Sequence, residues 1–234
     1  MQPYFFPYIG YFQLMRAVDV FVMYDDAQYM KGGWINRNRI LVNGNATWLT
    51  LPTRRASVTL PINQRSYLLA DHIASIKQQL SAAYANAPRF KETFAFICDL
   101  LDFNEQNVAK FNSNLLLGLA TKLGLSCTLI SSSSMDKSPN MKGSDKVIDI
   151  CHRIGAKQYI NPIGGSALYD PAVFSREGVQ LRFLEGNASS YAQFGGPQVP
   201  SLSIIDVLMF NSIERVQGML DSYTIVTPAC TSIR

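Results

Sequence analysis

Between Lys31 and Arg39 the chain reads Lys-Gly-Gly-Trp-Ile-Asn-Arg-Asn-Arg. As a strand, this run puts Trp34, Asn36 and Asn38 on one face and Ile35, Arg37 and Arg39 on the other. Rows of amides and guanidiniums are costly to bury without partners. They suit a phosphate, which arginine grips through two parallel N–H groups, or sugar hydroxyls, which amides bind. Trp34 adds a ring that can stack on a sugar or a base, and Lys31 adds a third cation. The plain alternative is an exposed strand with a half-buried tryptophan.

A pair of acids precedes it. Asp19 to Tyr24, a β-branched and aromatic run, reads as a buried strand, and Asp25, Asp26 and Gln28 follow its end. Acids at the carboxyl end of a strand sit where α/β folds bind ligands. They can act as base, metal ligand or acceptor for a sugar hydroxyl. Adjacent residues point apart along a strand, so both converge only if the chain turns there. A solvated strand end is the competing reading.

The first residues, Met-Gln-Pro-Tyr-Phe-Phe-Pro-Tyr-Ile-Gly-Tyr-Phe, crowd six rings around two prolines and a glycine. In spacing, Tyr8-Ile9-Gly10-Tyr11 resembles the H-x-G-H element of HIGH-type nucleotidyltransferases and pantothenate synthetase, which opens a helix and steadies phosphate. Both histidine places are tyrosine here. A tyrosine hydroxyl donates a hydrogen bond but carries no positive charge near pH 7, so it cannot replace imidazolium. A nucleotide at the helix N-terminus stays open, with an aromatic core and a tight turn as the alternative.

A fourth candidate is Tyr159-Ile160-Asn161-Pro162-Ile163-Gly164-Gly165, which leaves a strand. Its glycines allow backbone N–H groups to face an anion. His152 falls inside an expected helix without a matching acid or nucleophile and reads as structural. Ser131–Ser134 reads as a polar loop.

The elements that must position these residues follow from periodicity. Tyr11 to Val18 allows two helical turns. Trp34 to Val42 and Ala46 to Leu51 read as strands around an Asn43-Gly44 hairpin turn. From Asp71 to Leu123 the pattern is helical, with expected caps at Asp71, Asn86 and Asn104. In the last of these helices Val108, Phe111, Leu115, Leu119 and Leu123 recur on one face. Then come a strand at 126–130, a helix from Ser144 or Asp145 to Ile154, a strand at 157–160, a helix opened by Asp170-Pro171, and a strand at 179–184. Pro200 to Leu220 reads as helical, and Cys230 to Arg234 as an irregular tail. Strand–helix alternation implies an α/β fold with a Rossmann-like, mainly parallel sheet. We expect a single domain over 1–234 with a helical insertion at about 70–124.

The totals narrow the function. A 47% apolar and 16% charged chain of 234 residues buries a sizeable core. A net charge of +4 without a basic run does not suggest nucleic-acid binding. Four cysteines without CxxC spacing and two distant histidines suggest no metal cluster and no disulfide framework. No signal-peptide pattern and no window of ~18 apolar residues is present, so we expect a cytoplasmic protein without stable membrane insertion.

Four segments together resemble the WbqC-like family: QPYFFPYIGYFQL (Gln2–Leu14), VDVFVMYDDAQYMKGGWINRNRI (Val18–Ile40), WLTLP (Trp48–Pro52), and DICHRIGAKQYINPIGG with LYD (Asp149–Asp170). The family pattern carries a short apolar strand ahead of its Gln-Pro pair. Here Met1 directly precedes Gln2, so either that strand is missing or the start is misplaced. The resemblance implies bacterial O-antigen or other surface-polysaccharide biosynthesis, with nucleotide-linked sugars and acyl or aminoacyl donors as partners.

On these grounds the expected function is transfer of an acyl or aminoacyl group to a nucleotide-linked amino sugar. Arg37 and Arg39 would hold phosphate, Asn36 and Asn38 sugar hydroxyls, and Asp25 or Asp26 would take the proton of the attacking amine. Gln2, Tyr8, Gly10, Tyr11, Gln28, Lys31, Trp34, Asn161, Gly164 and Gly165 complete the expected substrate-binding set. Two alternatives stay open: an ATP-dependent ligase or nucleotidyltransferase with an altered H-x-G-H element, and a carbohydrate- or nucleotide-binding partner without turnover. The sequence assigns no cofactor and leaves open a homo-oligomer.

Overall fold

The computed structural model describes residues 1–70, 72–138, 141–187 and 190–228. In chain order its helices and strands are α1 (Ile9–Arg16), β1 (Val20–Met23), β2 (Arg37–Val42), β3 (Asn45–Thr50), α2 (His72–Tyr84), α3 (Phe90–Leu101), α4 (Val108–Lys122), β4 (Thr128–Ser131), α5 (Gly143–Arg153), β5 (Gln158–Pro162), α6 (Pro171–Arg176), β6 (Gln180–Gly186), α7 (Ile204–Phe210), α8 (Ile213–Leu220) and β7 (Tyr223–Val226). They divide into two compact units, Met1–Ser133 with Ser189–Asp221, and Ser134–Ala188 with Ser222–Arg234. The expected Asp71 cap and the 230–234 tail lie outside the described residues. No helix among the described residues is long and apolar enough to cross a membrane.

The fold is mixed α/β, and its sheets are small and partly parallel. In the first unit β1 pairs with β4 in parallel, and β2 pairs with β3 as an antiparallel hairpin. In the second, β5 and β6 are parallel and β7 joins β6 antiparallel. The described strands thus form three sheets and not one continuous parallel sheet. The hairpin has a local cause. Asn43 and Gly44 adopt φ of 49° and 76°, the left-handed pair that a two-residue hairpin turn requires, and such a turn permits only antiparallel pairing.

The aromatic opening of the chain is core. Phe5, Phe6, Tyr11 and Phe12 are fully buried, and the Tyr11 hydroxyl donates to the Gln2 carbonyl at 2.9 Å. Phe6 sits at φ 42°, unusual for a non-glycine residue, and its carbonyl accepts from Asn38 Nδ2 (2.8 Å) and Ser203 Oγ (2.7 Å). Met1 runs beside β1: its ammonium donates to the Val22 carbonyl at 2.9 Å, and its carbonyl accepts from Tyr24 N at 2.7 Å.

The helical segment supplies the other half of this core. Val108, Phe111, Leu115, Leu119 and Leu123 of α4 and its end are all buried, as their spacing predicts. The cap is Asn107 and not Asn104: Asn107 Oδ1 accepts from Lys110 N, while Glu105 Oε1 accepts from Asn107 N. Likewise α3 starts at Phe90, past the expected Asn86 cap. Asn112 lies fully buried within α4, and its amide donates to the Pro3 and Ile35 carbonyls, tying the N-terminal turn to the segment before β2.

In the second unit Ile148, Cys151, Phe174, Val179, Leu181 and Phe183 form a core between helices and sheet. Asp170 caps α6, with Pro171 at the first helical position, as the sequence predicts. His152 Nε2 lies 2.9 Å from the Glu177 carbonyl, a contact between α5 and the turn after α6.

Candidate functional site

The β2–β3 hairpin carries two arginines and two tryptophans on one partly exposed face. The register sets Arg39 opposite Trp48 and Arg37 opposite Thr50, all on one face. The Arg37 guanidinium carbon lies 4.1 Å from the Trp48 ring centroid, and that of Arg39 lies 5.7 Å from Trp34. The two indoles are 5.3 Å apart and tilted by 44°. Trp34 is 37% exposed and Trp48 42%.

Trp34 therefore joins the arginines and not the asparagines. The expected alternation fails because residues 33–36 bend ahead of the strand, which begins only at Arg37. The bend leaves Ile35 fully buried and turns Trp34 outward.

Neither guanidinium is paired with a carboxylate among the described residues. Arg37 donates to the Gly32 and Gly33 carbonyls through Nη2 and Nε, and Arg39 donates to the Ser201 carbonyl through Nη2 at 3.2 Å. Those bonds hold both planar groups over the rings, and the buried Arg39 Nε has no hydrogen-bond partner among the described residues. Two positioned cations without acidic partners, over two aromatic faces, can receive an anion with an adjoining flat group. Lys31 is exposed at the start of the same loop.

Asn36 and Asn38 point inward. Asn36 accepts from the Tyr29 hydroxyl at 2.8 Å and donates to the Leu51 carbonyl at 3.0 Å. Asn38 donates to the Phe5 and Phe6 carbonyls and accepts from Arg39 N. Both amides thus hold the frame on which the arginines are mounted.

The acid pair divides in the same way. Asp25 is buried, and its two oxygens accept from Ser133 N (2.9 Å) and Ser133 Oγ (2.5 Å), which clasps the end of β1 to the turn after β4. Asp26 is half-buried. Gln28 is exposed and donates to the Val58 carbonyl at 3.1 Å.

In the Tyr8-Ile9-Gly10-Tyr11 element the first ring is 37% exposed and the second is wholly buried. A Cβ on Gly10 would run into the Tyr8 ring, so that partly exposed ring would have to shift. Gln2 meets Tyr11 through its backbone. In the second unit Asn161 is buried, its Oδ1 accepts from the Tyr159 hydroxyl at 3.3 Å, and its amide occupies the space a Cβ on Gly165 would need. Around Gly164 that space is open.

One cluster escaped the sequence reading. Asp206, fully buried in α7, accepts from the Tyr84 hydroxyl (2.8 Å), the Tyr191 hydroxyl (2.6 Å) and Gln193 Nε2 (2.7 Å). Burial raises its carboxyl above the ordinary range, and its three donors pull the other way. Burial, reinforced by the Asp206 charge, pushes both tyrosine hydroxyls up. The available signal was a lone acid within the apolar run Ile204–Phe210.

The profile of the WbqC-like protein family matches residues 2–218, so the chain belongs to that family. It is also similar to the uncharacterized protein Rv1507c of Mycobacterium tuberculosis, at 27% identity over 214 residues, covering 90% of this chain and 91% of that protein. No solved structure matches.

Proposed function

We propose that this chain is a transferase of surface-polysaccharide assembly that holds a nucleotide-linked amino sugar on the Arg37–Trp48–Arg39–Trp34 face and accepts an acyl or aminoacyl group onto it. The observation that carries this reading is the placement of two guanidiniums, neither paired with a described carboxylate, over the chain's two tryptophans at 4.1 and 5.7 Å. The phosphates meet the guanidinium edges, and the base or sugar meets the indoles. Asp25 or Asp26 takes the amine proton; of the two, Asp25 also accepts from Ser133 N and Oγ. A Rossmann-like ancestry of the parallel β1–β4 and β5–β6 pairs belongs to the same reading.

Because both tryptophans lie on this face, their fluorescence reports occupancy directly. Titration with UDP-N-acetylglucosamine should change the emission and saturate. Arg37→Ala and Arg39→Ala should each weaken binding at least 10-fold, since a charge-assisted hydrogen bond is worth about 1.5–3 kcal/mol. Unchanged emission across a panel of nucleotide sugars, or unchanged affinity in both variants, overturns the reading. A response to ATP with pyrophosphate release would favour the ligase.

The face consists of cations and rings and by itself supplies no proton acceptor. That favours one second reading, a binding partner without turnover. It is distinguished by full binding with no consumption of an acyl donor.

A further inference from the structure

We propose that the cavity at the tip of the β2–β3 hairpin binds an uncharged carbohydrate ring. The cavity encloses about 470 Å³, within the range of about 300–1,000 Å³ that small-molecule sites occupy. Asn43 and Gly44 of the turn, Ala82 and Asn86 near the end of α2, and Phe194 form much of its wall. None of its lining residues carries a charge. An ion would leave water there without compensation, so a charged ligand is disfavoured.

What the wall does offer is matched to a polyol. Asn43 and Asn86 are exposed, and their amides supply donors and acceptors together, as paired ring hydroxyls need. Phe194 offers the apolar counterpart, a flat surface for the C–H face of a pyranose. It is 48% exposed, although its ring centroid lies 4.8 Å from that of Phe210, in a T-shaped pair, and 6.5 Å from that of Tyr84. Small residues, among them Gly44, Ala82 and Gly196, line the same cavity and leave it room.

The platform is held in place by the buried cluster. The Gln193 amide is fully engaged, donating to Asp206 at 2.7 Å and accepting from Val199 N at 2.8 Å. Asp206 also holds Tyr84, on which Phe194 leans. The residue next to the exposed ring is thereby pinned, which lowers the ordering cost of binding. This assigns Asp206, Tyr84, Tyr191 and Gln193 a positioning role.

The cavity adjoins the Arg–Trp face. Leu41 in its wall lies two residues beyond Arg39 on β2, about 7 Å along the strand. That a single ligand spans both places rests on the function proposed above; the carbohydrate site itself does not.

The test is saturation-transfer NMR with millimolar methyl glycosides of glucose, galactose and N-acetylglucosamine, alongside tryptophan fluorescence with UDP. Wild-type protein should transfer saturation to at least one glycoside. Ala82→Phe, which fills the cavity from an exposed helical position, and Phe194→Ala should each reduce that transfer at least 5-fold. Both variants should retain the wild-type UDP response and circular dichroism. No transfer to any glycoside in wild type, or equal transfer in folded Ala82→Phe, overturns the site. A glycoside signal that obeys the variants upholds this site whether or not UDP responds; a UDP response without any glycoside signal overturns this site and leaves the Arg–Trp reading standing.

Discussion

Asn38 Nδ2 donates to the Phe6 carbonyl at 2.8 Å, and Phe6 is the non-glycine residue with left-handed φ in the N-terminal turn. The bond explains how an aromatic residue keeps an uncommon backbone conformation: a buried amide on β2 and the Ser203 hydroxyl both hold its carbonyl. Asn38→Ala removes the donor from the Phe5 and Phe6 carbonyls together. The Phe6 carbonyl keeps Ser203 Oγ while the Phe5 carbonyl loses this donor, and a buried acceptor left without a partner costs about 1–3 kcal/mol. Urea unfolding should show that loss with an unchanged m-value. A loss under about 0.5 kcal/mol would mean that Ser203 alone suffices.

Asp25 is expected to act first on stability. Asp25→Asn replaces one accepting oxygen by an NH₂ group facing a Ser133 donor. We expect about 1–3 kcal/mol of destabilisation, and about 1 kcal/mol for Ser133→Ala. A double-mutant cycle should show coupling between the two sites. Additive effects would deny the clasp. Activity measurements on Asp25→Asn must be set against this loss before a base role is assigned.

Much of the fold was legible because its signals are local. The α4 stripe, the Asn43-Gly44 turn and the Asp170-Pro171 cap each lie within one element. The site was legible in kind: Arg37, Arg39 and Trp34 do meet, but through a bend before β2 that period-two alternation cannot represent. Asn104 and Asn107 are equivalent cap candidates by type, and the choice between them depends on the tertiary bond from Asn107 Nδ2 to the Asn63 carbonyl. The Asp206 cluster joins Tyr84, 122 residues away, to Tyr191 and Gln193. No local pattern encodes a carboxylate with such remote donors.

That cluster makes its own expectation. Asp206→Ala leaves two tyrosine hydroxyls and the Gln193 amide without their shared acceptor, and Tyr84 would keep only its bond from Leu41 N. A buried polar group left without its partner costs about 1–3 kcal/mol, and three lose one here, which places this among the larger single-site effects. Tyr191→Phe, which deletes one donor of three, should cost about 1 kcal/mol. Thermal unfolding orders the two variants. If Tyr191→Phe proved as damaging as Asp206→Ala, the carboxylate would not be the hub.

The ammonium of Met1 gives a pH dependence whose sign can be worked out. In a chain beginning at Met1 this group is partly buried beside β1, and desolvation lowers its pKa from 8.0 to about 5. Its described bond is to the neutral Val22 carbonyl, which cannot offset the lost water. Between pH 5 and pH 8 the unfolded chain binds the extra proton and the folded chain does not. Stability from this group therefore rises with pH across that window and is lost as pH falls toward 5. The full span corresponds to about 4 kcal/mol, at 1.36 kcal/mol per pH unit. Acetylating the terminus, or adding two valines ahead of Met1, replaces the ammonium by an amide that can continue the pairing beside β1. The midpoint of denaturation should then be higher than wild type at pH 6, and the difference should shrink toward pH 8. A difference independent of pH would show that the terminus is solvated, and that β1 takes no electrostatic penalty from it.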